Sequence, residues 1–410
     1  MKILHINQSD ILGGAAIAGY QLHGALLNQG LDSKLLVGQK KTDDPRVAQV
    51  PRHQWLENQL QRLTHRGGFN YVNHISSFAI PKHPFFAATD ILNFHNLHNS
   101  YFSYLAIPRL TEHKPAVFTL HDMWSFTGHC AYSYDCARWQ TGCGHCPYPE
   151  TYPGIRRDST HLVWKLKDWI YNHSNLTIVA PSRWLAEQAK ASVLGHFQIN
   201  HIPNGVDPDA YQPLERELCR TALGIPAKKR VMLFSAINLT DSRKGGDLLI
   251  KALNQLPATL KKDCLLLTLG HPSKQLATLL DIPLMNLGYV SSDRLKSVAY
   301  SAADLFLFPT RADNLPLVLQ ESMACGTPMV SFDIGGVSDL VRPGITGYLA
   351  QPEDIDDFCK GIVELLDDNA KRQVMGENCR RIALKEYTLD LQAIRYSRLY
   401  QEILDESNPN

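Results

Sequence analysis

Short apolar runs, each followed by a loop and a helical pattern, recur along the chain and restrict its fold more than any other feature. "KILHIN" (Lys2 to Asn7), "SKLLVG", "ILNF" (Ile91 to Phe94), "AVFTL" (Ala116 to Leu120) and "LTIVA" (Leu176 to Ala180) form one set. "VMLFSA" (Val231 to Ala236), "CLLLTL" (Cys264 to Leu269), "LFLFP" (Leu305 to Pro309) and "PMVSF" (Pro328 to Phe332) form a second. Continuous rather than alternating hydrophobicity marks strands buried on both faces, as in parallel sheets covered by helices. The class is therefore α/β. At 410 residues the chain is too long for one ordinary core, and the repeated pattern implies two doubly wound domains in tandem. "IPNGVDPDAYQP" (Ile202 to Pro213), with three prolines and a glycine, reads as the linker. Open α/β sheets bind ligands at the carboxyl ends of their strands, so the expected site is a cleft between the domains.

Charge and cysteine content narrow the function. Lys and Arg number 41 and Asp and Glu 40, without the basic excess of a nucleic-acid binder. No apolar run reaches the roughly 18 residues of a membrane span. "MKILHINQSD" lacks the apolar centre and cleavage site of a signal peptide, so a cytoplasmic protein is expected. Nine cysteines, an odd number, argue against a secreted disulfide framework.

The segment "RADNLPLVLQESMACGTPMVSFDIGG" (Arg311 to Gly336) places carboxylates at Asp313 and Glu321 on either side of an apolar stretch. "LPLVLQESMAC" has helical composition, with Pro316 suited to a first turn and Gly326 to a stop. Asp313, Asn314 and Leu315 then stand at a helix N-terminus after a strand, where N–H groups and the dipole favour an anion. Glu321, further along the helix, is placed to reach the next part of an extended ligand. Sugar, diphosphate and ribose in a row fit that spacing. The plain alternative is a capping Asp and a solvated helix Glu.

This segment resembles the signature of the retaining glycosyltransferases of family 4, which have the GT-B fold. The resemblance rests on "ESMACGTPMV" (Glu321 to Val330), Gly335 and Gly336, and "GITGYL" (Gly344 to Leu349). It extends to "RKGGDLLIKAL" (Arg243 to Leu253), "VAPSRWL", "IPNGVD" (Ile202 to Asp207) and "SDILGGAAIAGYQLHGALLNQG". Two positions depart from the family: Asp313 stands where a glutamate is usual, and Asn238 where an arginine is common, with Arg243 as a substitute charge.

The resemblance implies a GT-B protein of two Rossmann-like domains facing a cleft. Residues 1–205 would bind the acceptor and 206–385 the nucleotide-sugar, with 386–410 crossing back as a helix onto the first domain. It implies a retaining hexosyltransferase that uses a nucleotide-diphosphate sugar and a glycan or lipid-linked acceptor, working by front-side attack in cell-surface polysaccharide synthesis. His121, Asp313 and Lys244 would be catalytic. Gly13, Gly14, Asn238, Arg243, Asn314, Leu315 and Glu321 would complete the donor site with Lys244, and His95, His98 and Asp122 would face the acceptor. No cofactor is obligatory under this reading. Read without the family, Arg243 and Lys244 are an exposed basic pair, His121 a histidine satisfied by loop carbonyls, and Gly13 and Gly14 a plain turn. A nucleotide-sugar epimerase, a phosphorylase, and a non-catalytic glycan- or nucleotide-binding protein of the same fold are the alternatives.

Two segments stand apart. "GIRRDSTHLVWKLKDWIYNH" (Gly154 to His173) mixes Arg156, Arg157, Lys165 and Lys167 with Trp164, Trp169 and Tyr171. It reads either as a peripheral contact with the inner face of the membrane or as a partly buried helix with a basic face. "CAYSYDCARWQTGCGHCP" carries Cys130, Cys136, Cys143 and Cys146, ending in a CxxC. A structural zinc site, two disulfides and free buried thiols are the three readings, with His129 and His145 as substitute ligands.

Overall fold

The computed structural model describes residues 1–238, 241–271 and 274–407. The chain divides into two compact units, Met1–Asn204 with Leu389–Asn410, and Gly205–Thr388. The boundaries expected at 205/206 and 385/386 fall one and three residues from these. Residues 408–410 of the expected crossing-back segment lie outside the described residues.

The first unit contains β1 (Lys2–Ser9), β2 (Asp32–Gln39), β3 (Val47–Gln49), β4 (Ile91–Phe94), β5 (Ala116–Thr119), β6 (Leu176–Ala180) and β7 (Ile199–His201). They form one seven-stranded sheet in the order β3-β2-β1-β4-β5-β6-β7. The second unit contains β8 (Arg230–Asn238), β9 (Cys264–His271), β10 (Leu284–Asn286), β11 (Leu305–Phe308), β12 (Met329–Phe332) and β13 (Gly347–Ala350). Its six-stranded order is β10-β9-β8-β11-β12-β13. Every pairing in both sheets is parallel.

The inner strands are buried on both faces: all of Ile91–Phe94, Ala116–Thr119, Leu305–Phe308 and Met329–Phe332 is inaccessible. That explains their unbroken hydrophobicity. Helix Leu389–Ser407 covers the first sheet. Ala393, Tyr396, Leu399 and Tyr400 pack with Ile3, Leu22 and Ile91. Tyr400 accepts from Asn93 Nδ2 at 2.6 Å, and the Tyr396 hydroxyl lies 2.9 Å from Thr119 Oγ1.

Each sheet order reverses direction once. In the first unit the chain runs outward from β1 through β2 and β3, then restarts on the other side of β1 with β4. In the second it restarts beside β8 with β11. Such switch points leave a crevice at the strand ends where α/β proteins bind ligands. Two intrinsic crevices therefore exist, one per unit.

Candidate functional site

The crevice of the second unit gathers the charged residues of the signature. A turn, Ser242–Lys244, follows β8 and leads into helix Gly246–Asn254. Gly245 joins the two at φ 71°, and a Cβ there would stand 1.8 Å from the Pro309 carbonyl oxygen. Only glycine lets the basic turn lie against the end of β11. Thr310 Oγ1 and the Arg311 N–H both donate to the Arg243 carbonyl, fixing the turn to the loop after β11.

Lys244 Nζ then donates to Asp313 Oδ2 at 2.5 Å, and Arg243 Nη1 donates to the same oxygen at 3.3 Å and to the Ala312 carbonyl at 2.9 Å. The Asn314 N–H donates to Asp313 Oδ1. Gly335, after β12, closes the third side at φ 56°, where a Cβ would stand 2.1 Å from the Asp313 carbonyl oxygen. Burial acts to raise the Asp313 pKa, but Lys244 and then Arg243 outweigh it and hold the carboxyl below its usual range. Burial likewise lowers the Lys244 pKa, against the opposing pull of Asp313. Arg243 Nη2 also lies 3.7 Å from Asp241 Oδ2, so the two cations are held between two carboxylates at the end of the strand.

Helix Leu317–Ala324 opens beside this cluster after Pro316, and the left-handed Gly326 lies just past its end, as its composition implies. Leu315 and Asn314 are buried. Glu321 is 9% exposed and does not face solvent as a free helix acid would. Tyr300 donates to Glu321 Oε2 at 2.9 Å, and Lys296 Nζ lies 3.7 Å from Oε1. Lys296 and Tyr300 sit one turn apart on helix Asp293–Ala302, and sequence reasoning missed both. Asn238 is exposed at the end of β8, and its carbonyl accepts from the Asp241 N–H at the start of the basic turn.

The first unit's crevice carries the remaining expected residues. Gly13 (φ 90°) caps helix Gly14–Asn28 after β1. Asp10, also missed, anchors that loop: its carboxylate accepts from the N–H groups of Ile11, Lys41 and Thr42.

His5, His95 and His121 form a chain. His5 Nδ1 lies 3.0 Å from His95 Nε2, and His95 Nδ1 lies 3.0 Å from His121 Nε2. His95 was expected on the acceptor side, but it is buried with both ring nitrogens against other histidines, so it stands behind His121. Burial lowers all three pKa values, that of His121 to about 4, so the chain is neutral. Each neutral ring has one N–H. His5 Nε2 has no partner, and an unpartnered acceptor is cheaper to bury than an unpartnered N–H. The protons then run from His5 to His95 to His121, which leaves the His121 proton on Nδ1. His98 Nε2 meets Asp122 Oδ2 at 3.0 Å, so these two hold each other.

An open cavity of about 480 Å³ adjoins this crevice, lined by Gln8, Gln39, Gln49, Arg52, Asn99 and Tyr101 among others. Asn99 (φ 77°) and the adjoining Ser100 (φ 59°) hold left-handed backbone there, a strain that clusters at functional sites.

The packing divides Gly154–His173 into a core face and an exposed face. Within helix Thr160–Asn172, Lys167 and Tyr171 are buried. The Trp164 indole donates to the Trp139 carbonyl. These three belong to the core face, while Arg156, Arg157, Leu162, Lys165 and Trp169 stay exposed. No helix among the described residues is long and apolar enough to cross a membrane. The cysteines Cys130, Cys136, Cys143 and Cys146 are unbridged and partly buried, so the disulfide reading does not hold. Among the described residues, no group of three or more His, Cys, Asp or Glu side chains is placed to hold a metal ion as the chain stands.

Residues 215–382 match the family described as Glycosyl transferases group 1, and residues 12–210 match Glycosyltransferase Family 4. This chain is a group 1 glycosyltransferase of family 4. The glycosyltransferase is 29% identical over 353 residues to the putative colanic acid biosynthesis glycosyl transferase WcaC of Escherichia coli K12, spanning 81% of this chain and 83% of that protein. Among solved structures, the sucrose-phosphate synthase of Thermosynechococcus elongatus superposes with a TM-score of 0.72 at 18% identity, covering 99% of this chain and 100% of that one. Anabaena Alr3699/HepE, solved in complex with UDP and glucose, gives 0.68 at 18% identity, covering 98% and 100%. These neighbours place the glycosyltransferase in the GT-B fold.

Proposed function

We propose that this glycosyltransferase moves a hexose from a nucleoside-diphosphate sugar to a hydroxyl of a glycan or lipid-linked acceptor, with retention, in polysaccharide synthesis. The observation that carries the reading is the cluster of Lys244, Arg243 and Asp313 at the switch point of the second unit. Two cationic donors, held by Asp313 and Asp241 beside a helix N-terminus, can turn to a diphosphate. The UDP and glucose bound by HepE and the polysaccharide role in WcaC's name support the same reading.

In the proposed reaction the acceptor oxygen bonds to the anomeric carbon while the bond from that carbon to the diphosphate oxygen breaks on the same face. The hydroxyl proton passes to the departing diphosphate. Lys244 and Arg243 stabilise the charge that develops there, an electrostatic contribution in place before reaction. Asp313 accepts from hexose hydroxyls. Glu321, oriented by Tyr300 and Lys296, accepts from the ribose. The amide-rich cavity of Gln8, Gln39, Gln49 and Asn99 supplies paired donors and acceptors for an acceptor's hydroxyls.

Thermal-shift titration with UDP-, GDP- and ADP-sugars tests the donor site, because a ligand of the native state raises apparent stability. At least one donor should raise Tm, and Lys244→Ala should abolish the rise. No shift with any donor would reject the reading.

A further inference from the structure

We propose that Cys130, Cys136, Cys143 and Cys146 bind one structural zinc ion. All four line one small cavity of about 20 Å³, together with His129, Arg138 and Trp139. That volume suits a single ion or water. Each thiol lies within electrostatic reach of the other three. The surrounding loop is pinned: Arg138 Nη1 donates to the Gly144 and His145 carbonyls, Gly144 N–H to Thr160 Oγ1, and Cys146 N–H to Asp158. Neutral thiols do not attract one another, and in the metal-free chain the four sulfurs do not yet form a ligand set; a divalent ion would draw them in, to Zn–S distances of about 2.3 Å.

The surroundings are built for negative charge. Lys167 is 1% exposed, and among the described residues it makes no ion pair with a carboxylate. Its ammonium donates to the Trp124 and Thr127 carbonyls and lies 3.8 Å from the Trp124 ring centroid. Burial pushes its pKa down to about 7, against the opposing pull of Cys143, then Cys130, then Asp122, whose carboxylate is taken by His98 and the Trp124 N–H. A buried cation without a counter-ion is costly. Zinc binding would release four thiol protons to water and leave a tetrathiolate complex of net charge −2. Lys167 on one side and Arg138 on the other supply the two compensating charges. The Gly128 N–H already donates to Cys143 Sγ at 3.2 Å.

His129 completes the arrangement. Its Nδ1 lies 3.0 Å from the Pro153 carbonyl, which can only accept, so Nδ1 carries the proton. Nε2, 3.2 Å from Cys146 Sγ, is then the acceptor for that thiol's proton. Carbonyl-fixed tautomers of this kind surround metal sites. The ion would tie the excursion after His121 and Asp122 to helix Thr160–Asn172.

The test uses the full chain purified without chelator. Elemental analysis should find about one zinc per chain, the content of a single four-ligand site. Exchange with Co²⁺ should give the sulfur-to-cobalt charge-transfer and visible bands of a tetrahedral tetrathiolate, without any substitution. Cys146→Ser should weaken those bands, and Lys167→Met should speed zinc loss to a chelator about tenfold or more, the scale of outer-shell changes at metal sites. Metal-free protein that gives no tetrahedral Co²⁺ spectrum overturns the proposal, as does oxidation of these cysteines to disulfides in freshly isolated protein.

Discussion

Lys244 and Asp313 lie 69 positions apart in sequence and meet at 2.5 Å, each carried by the loop after one of two adjacent central strands. The contact joins the basic turn and the signature helix into one charged surface. It also makes the two residues separable by substitution, because Arg243 stays beside Asp313 when Lys244 is removed.

Lys244→Ala should lower kcat/KM for the donor roughly ten- to a hundredfold. The loss corresponds to one charge-assisted hydrogen bond of about 1.5–3 kcal/mol. Asp313→Ala should lower turnover more than Glu321→Ala, while Asp313→Glu, the usual family residue, should keep most of it. Steady-state kinetics on the four variants checks the order. Equal activity of Asp313→Ala and wild type would remove Asp313 from the site.

Tyr300→Phe deletes the hydroxyl that holds Glu321 Oε2. If Glu321 serves the ribose, the effect is on donor binding rather than on chemistry. KM for the donor should rise several-fold, in line with a hydrogen bond of about 1 kcal/mol, with kcat nearly unchanged. A fall confined to kcat would place Glu321 at the reacting carbon instead.

Asp304 is buried where it accepts from Arg220 Nη2 at 2.8 Å and the Val231 N–H at 2.8 Å. Removing one partner of a buried ion pair leaves the other charge uncompensated. Asp304→Ala should destabilise by about 3–5 kcal/mol, read as a lower urea midpoint for Gly205–Thr388.

The histidine chain gives stability a pH dependence of known sign. His5, His95 and His121 have folded pKa values below the ordinary histidine value, that of His121 at about 4. Burial is the largest cause at each. Around His121, Asp122 opposes the shift and His98 adds to it. Below about pH 6.5 the unfolded chain binds protons that the folded chain refuses. Stability should therefore be full above that pH and fall as pH drops toward 4. Melting scans should show a shallower fall in His95→Gln, which removes one such group.

The sequence exposed the inner strands and hid the outer ones. β3, β7, β10 and β13, the four strands absent from the apolar pattern, are the edges of the two sheets. They are three or four residues long and only partly buried. An edge strand meets solvent, so no continuous apolar run marks it. The site divides in the same way. Lys244 and Asp313 were legible through motifs, whereas Tyr300, Lys296 and Asp10 act through tertiary contacts that no local spacing reveals. Lys167 misled the reading of Gly154–His173 because a lysine in a basic segment rarely turns inward.

Proton NMR of donor and acceptor turnover tests the assignment of retaining sugar transfer to the Lys244 and Asp313 cluster most directly. With a donor found by thermal shift and a glycan acceptor, the donor's anomeric signal should decay. A product signal of the same anomeric configuration should grow in its place, and both changes should slow roughly ten- to a hundredfold in Lys244→Ala. An inverted product, or turnover undiminished in Lys244→Ala, would contradict it.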